Sequence, residues 1–191
     1  QIIDYVADTS HITKKGVSAL QGHVKITQGS KEITAKNAML FSNPKTNKPK
    51  HIQLSGNITV REPGGLIYAE KVSIWLHQKT WQIMNVLYRF SMDLPSLIHN
   101  NTDKKTHKIT ALTAWGHANE VRQSKPKVWD LYNATYTTCR PNCNIWHLKA
   151  THIHLDKINQ VGTAKNTILY IKNVPVLWFP YFRFPLTSKR A

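Results

Sequence analysis

Leu20-Gln21-Gly22-His23-Val24-Lys25-Ile26 returns 34 residues later as Leu54-Ser55-Gly56-Asn57-Ile58-Thr59-Val60. At the same offset, Ile33-Thr34-Ala35-Lys36-Asn37-Ala38 returns as Ile67-Tyr68-Ala69-Glu70-Lys71-Val72. Each unit reads as a strand opening after glycine, a polar turn and a second strand. Val24 and Ile26 alternate with polar residues, as do Ile58 and Val60, and Val72, Ile74 and Leu76. A period of two is the mark of a strand with one buried face. Helical spacing is absent almost everywhere, so the chain is all-β.

Working outward, Asn43 to Lys50 is a turn-rich connector and Trp81 to Phe90 another strand. Leu94 to Lys105 is mostly polar and is the predicted mobile loop. Strands are predicted again at Lys108–Ala114, Trp115–Arg122, Val128–Thr137, Trp146–Asp156 and Gly162–Lys172. The last stretch, Val-Pro-Val-Leu-Trp-Phe-Pro-Tyr-Phe-Arg-Phe-Pro at 174–185, carries Pro175, Pro180 and Pro185. Proline removes a backbone donor and biases its predecessor to extended geometry. The segment is therefore predicted to be an extended, packed edge that closes the β-structure. Roughly a dozen short strands of repeated design imply a sandwich, jelly roll or β-solenoid.

The 191 residues suffice for one domain with a sizeable core. Lysine and arginine number 26 against 10 acidic residues, a net charge of +16, which favours anionic partners. The acidic residues are scattered, and no P-loop, dinucleotide fingerprint or Gly-x-Ser-x-Gly occurs, so catalysis and cofactor binding have no sequence support. His152 and His154 share one strand face, half a metal site at most; no metal is expected, and two surface histidines are the simpler reading. Cys139 and Cys143, four apart, suit a small-loop disulfide or two thiols with partners elsewhere. Six tryptophans could stack bases, but no nucleic-acid recognition signature accompanies them.

Tyr136-Thr137-Thr138-Cys139-Arg140-Pro141, Trp146, Ala150 to Asp156, Gly162 to Asn166 and above all Val174 to Pro185 resemble the OstA-like periplasmic N-terminal domain of LptD, the outer-membrane lipopolysaccharide-assembly proteins. The repeat at 20–76 resembles the unit shared by the bridge proteins LptA and LptC. The resemblance implies a twisted β-jelly roll with a V-shaped open groove between two antiparallel sheets. It implies one domain over residues 1–186, with 187–191 leading to a C-terminal β-barrel. It further implies a non-enzymatic role at the periplasmic face of the Gram-negative outer membrane. Lipopolysaccharide would arrive from LptA by edge-strand pairing near Val17 to Ile26 and pass to the barrel, which LptE plugs. Pro175, Pro180 and Pro185 would form the hinge to that barrel. Cys139 stands where a family cysteine joins domain to barrel, with Cys143 as a resolving partner; Cys143 itself departs from the family pattern.

An acyl chain of a dozen or so carbons would lose roughly 10 kcal/mol on entering water, at about 0.8 kcal/mol per methylene. A carrier needs a continuous apolar lining, with the phosphorylated sugar head at a wet, basic rim. The predicted lining is Val24, Ile26, Ile33, Leu40, Ile58, Val60, Val72, Ile74, Leu76, Ile153, Leu155 and Ile168. Competing functions are a basic nucleic-acid-binding β domain and a purely structural scaffold for a barrel.

Overall fold

The computed structural model describes residues 4–12, 16–43, 45–46, 48–93, 111–140, 143 and 145–185. The predicted mobile loop at 94–105 and the segment 187–191 lie outside them. The described residues form strands alone, all paired antiparallel. They are β1 (Asp4–Val6), β2 (Thr9–Ile12), β3 (Val17–Gln28), β4 (Lys31–Ser42), β5 (Pro49–Glu62), β6 (Gly65–Trp75), β7 (Thr80–Asp93), β8 (Ala111–Lys125), β9 (Val128–Tyr136), β10 (Trp146–Asp156), β11 (Val161–Ile171) and β12 (Val174–Pro185). From β3 onward each strand pairs with the next, in one 12-stranded sheet whose two edges do not meet. β8 is one continuous strand where the sequence predicts two, at 108–114 and 115–122. Leu76 falls in the turn after β6, its amide donating to the Lys50 carbonyl, so it extends no strand.

One crease crosses the whole sheet. Midway along every second strand the backbone enters the left-handed region: Gly22 and His23 in β3, Gly56 and Asn57 in β5, Asn85 in β7, Asn133 in β9 and Asn166 in β11. Glycine enters it without steric cost, and asparagine is the side chain that most readily follows. Opposite them the pairing lapses at Lys36, Glu70, Asn119 and Thr151. Asn85 donates to Glu70 at 2.6 Å and Asn166 to Thr151 at 3.4 Å, holding the line together side chain to side chain. Such irregularities bend the strands that carry them. The jelly roll's two sheets are therefore two halves of one sheet, and each long strand contributes to both walls.

The core lies along the inside of this crease. On one side run Ala38, Leu54, Val72, Ile83, Val121, Leu131, Ile153 and Ala164, successive partners across the strands. On the other run Val24, Ala35, Ile58, Ala69, Val86, Ala118, Ala134 and Ala150. Leu54 and Ile58 have no exposed surface and Val24 and Val86 almost none. The many alanines let the walls approach where the bend is tightest.

Asparagine at the crease gives a direct test. A branched residue in left-handed geometry costs about 1–2 kcal/mol. Asn133→Val should lower the unfolding free energy by that amount, and Asn133→Gly should leave it within a few tenths of a kcal/mol; urea titration distinguishes them. Equal losses would mean that the bend is not what asparagine supplies.

Candidate functional site: an apolar trough and its rims

Away from the crease the inward-facing rows continue up both walls. Ile26, Ile33, Val60, Ile67 and Tyr88 are neighbours on one wall. Leu40, Ile52, Ile74 and Trp81 lead on the other to Gln123, Trp129 and Leu155. The aliphatic residues of these rows are half-buried, whereas the crease floor is dry. That gradient describes a wedge: sealed at its base, more open towards its mouth. Of the predicted lining, Val24, Ile58, Val72 and the half-buried Ile153 stand in the crease rows, and Ile26, Ile33, Leu40, Val60, Ile74 and Leu155 stand in the rows up the walls.

Ile168 is a correction. It pairs with Lys149 and with the exposed Trp178, on the outer face opposite buried Thr167. The cause is the crease. Inward positions in β11 run Gly162 and Ala164, then Thr167 and Leu169, because the left-handed Asn166 takes up one residue. A one-residue slip exchanges the two faces of a strand.

The two sheet edges differ. β3 is not open: β1 covers its residues 25–27 and β2 its residues 18–21. Asp8, between them, donates its amide to the Gly22 carbonyl at 3.1 Å and holds His23 through its carboxylate at 2.7 Å. β3 is thus an interior strand, and among the described residues β1 and β2 form the sheet edge on this side. At the other end β12 is the extended edge strand the prolines predict, and edge strands are where a sheet tolerates proline. It is neither packed nor closing: Val176, Leu177, Trp178, Phe179 and Tyr181 are all exposed, Trp178 to 62%.

The outer face carries its own polar network. His152 Nε2 and His154 Nδ1 lie 2.9 and 2.8 Å from Asp130 Oδ1, while Asp130 Oδ2 accepts from the Ser124 hydroxyl at 3.2 Å. Burial pushes the Asp130 carboxyl up, but the two histidines and Ser124 hold it below the usual range. Among the described residues no cluster of histidine, cysteine and carboxylate has the makings of a metal site. Sequence alone paired the histidines and missed the aspartate on the adjacent strand, where Asp130 stands directly opposite His154. Cys139 and Cys143 stand as free thiols side by side, unbridged here. The Cys143 side chain, the Trp146 and Ile145 backbone and Thr137 lower the Cys139 thiol below its ordinary value.

His51 introduces a pH dependence. It is sandwiched between Phe41 and Trp75, with centroids at 5.2 and 5.1 Å, and its Nε2 is buried without a partner. Burial, helped by Lys71, lowers its pKa from 6.5. The unfolded chain therefore takes up the proton more readily than the folded one. Stability from this residue is complete above pH 6.5 and is lost as the pH falls through that value towards the lowered one. The thermal midpoint should drop between pH 7.5 and 5.5, and His51→Phe should flatten that part of the profile. An unchanged slope would remove His51 from the acid response.

Residues 6–84 match the family model described as LptA/(LptD N-terminal domain) LPS transport protein. The chain is 32% identical over 185 residues to the LPS-assembly protein LptD of Legionella pneumophila strain Paris, covering 97% of this chain and 20% of that protein. It is 32% identical over 174 residues to LptD of Coxiella burnetii, covering 91% of this chain and 19% of that one. LptD of Acinetobacter baylyi is 31% identical over 186 residues, covering 97% of this chain and 20% of that protein. The chain thus spans about a fifth of the length of these curated relatives. Among solved structures, LptH of Pseudomonas aeruginosa, the LptA homologous periplasmic component of a lipopolysaccharide transport device, aligns with a TM-score of 0.33 and 14% identity, covering 90% of this chain and 95% of that one. By these sequence matches the chain belongs with the N-terminal domains of the LptD family of lipopolysaccharide transport proteins.

Proposed function

We propose that this domain carries lipopolysaccharide by its acyl chains along the creased trough, without catalysis. The observation that carries the reading is the gradient from a dry floor at Leu54 and Ile58 to half-open aliphatic walls. Acyl carbons gain by leaving water, and an unclosed wedge admits them while their sugar head stays outside. The donor would be an LptA-type bridge pairing with the β1–β2 edge by strand addition. The recipient would be a barrel plugged by LptE, beyond the apolar β12 edge, with Pro175, Pro180 and Pro185 setting the angle of the connection. Cys139 would bond a barrel cysteine after leaving Cys143 by thiol–disulfide exchange. The site of action would be the periplasmic face of the outer membrane.

The test uses the wall, not the floor. Ile74→Glu places a charge on a half-buried wall position and should reduce capture of labelled lipopolysaccharide to about a tenth, with the circular-dichroism spectrum retained. Photocrosslinking from Ile33, Ile74 and Ile153 should label lipid, and from Ile168 should not. Full capture by a folded Ile74→Glu variant would overturn the acyl reading. Capture that instead falls steeply with salt would favour a polyanion such as nucleic acid.

A further inference from the structure

At one rim the turns between strands carry cations. Lys31 and Glu62 stand at the β3–β4 and β5–β6 turns and pair at 3.1 Å. Lys127 and Lys157 stand at the β8–β9 and β10–β11 turns, which are stitched by the Lys157 amide donating to the Lys127 carbonyl at 3.0 Å. Lys157 lies within electrostatic reach of Glu62 and Lys31. Below them opens a cleft of about 450 Å³ lined by Gln123, Lys127, Trp129, Lys157 and Gln160. Gln123 and Trp129 are the rim end of an inward-facing row. The Lys157 ammonium lies 3.6 Å from the centre of the Trp129 ring, and Trp81 meets that ring edge to face. Burial and Lys31 together lower the Lys157 pKa.

We propose that this cleft binds a phosphorylated hexose. The cleft offers what that ligand needs: ammonium groups for the phosphate, two amides for ring hydroxyls and an indole for the sugar's C–H face. Three lysines here face one carboxylate, which Lys31 already engages, so an arriving phosphate meets surplus positive charge. It would draw Lys157 off the indole and so uncover the ring face on which the sugar stacks. Phosphate and sugar are therefore recognised together, and each alone binds poorly. The inference deepens the lipopolysaccharide reading, on which it rests for the source of such a ligand: acyl chains below the mouth, sugar phosphate at its rim.

The experiment is an NMR titration of the 191-residue chain, following the Trp129 indole resonance assigned by Trp129→Phe. Glucosamine 6-phosphate should move it, with glucosamine and inorganic phosphate each at least about tenfold weaker. Lys127→Gln combined with Lys157→Gln should weaken the sugar phosphate about tenfold, the value of a lost charge-assisted hydrogen bond. Three outcomes overturn the proposal: no movement of Trp129 by saturating ligand, an equal response to inorganic phosphate alone, or an unchanged affinity in the double variant. The acyl reading fails separately. A domain that binds glucosamine 6-phosphate here but holds lipid equally well as Ile74→Glu keeps the rim site and loses the trough.

Discussion

Leu54→Ala should cost the domain about 2–5 kcal/mol, a large share of the roughly 5–15 kcal/mol that holds a typical domain together. Leu54 has no exposed surface and sits at the crease between Ala38 and Val72. One neighbour is already an alanine, so little is at hand to collapse into the space left behind. The hydrogen-bonded strands on either side further limit relaxation. Ile58→Asp should be worse, since a carboxylate there is buried among Val24, Ala35, Ala69 and other apolar groups without a partner. The sequence placed Ile58 in the lining, but its complete burial makes a charge there a report on folding. Urea unfolding midpoints decide the matter, with Ile74→Ala as the wall control. A Leu54→Ala loss below about 1 kcal/mol would show that the crease floor is not the core.

The second large effect belongs to Gly116→Val. On β8 this glycine lies under Tyr88, and any Cβ would strike both the Tyr88 ring and the Thr135 carbonyl. Tyr88 crosses above it from β7 and donates its hydroxyl to that carbonyl on β9 at 2.5 Å. The bond ties three strands, and burial with help from Tyr136 pushes the Tyr88 phenol well up from its ordinary value. Valine would displace the ring and leave a buried hydroxyl and carbonyl apart. Overpacking of about 1–3 kcal/mol and a lost buried hydrogen bond of about 1–3 kcal/mol then add. Tyr88→Phe removes only the hydroxyl and should cost about 1 kcal/mol. If Gly116→Val costs no more than Tyr88→Phe, the glycine is not required by the ring above it.

Strand type and order were legible because alternation survives locally: β10 begins and ends at Trp146 and Asp156 as the pattern implied. The walls were legible in part for the same reason. What failed was alternation carried through a whole strand. In β11 the left-handed Asn166 shifts the phase, and Ile168 lands outside. The signal was present, since Gly22-His23 and Gly56-Asn57 sit inside the quoted repeat, yet they read as strand openings instead of mid-strand bends. The rim was illegible: Lys127 and Lys157 are ordinary turn residues in sequence, and only pairing of β9 with β10 brings their turns together.

The crease also makes the trough a modular object. Because every long strand supplies a segment to both walls, adding a strand at either edge lengthens the trough and leaves its cross-section alone. Each strand adds about 4.8 Å, so the 34-residue sequence period, two strands long, is a unit of length of about 10 Å. Width is set instead by the residues at the bend, where alanines bring the walls together. Evolution can thus tune span by duplication and bore by point substitution, independently. Insertion of a single residue inside one strand does neither. It turns one wall segment inside out and interrupts the continuity of the trough.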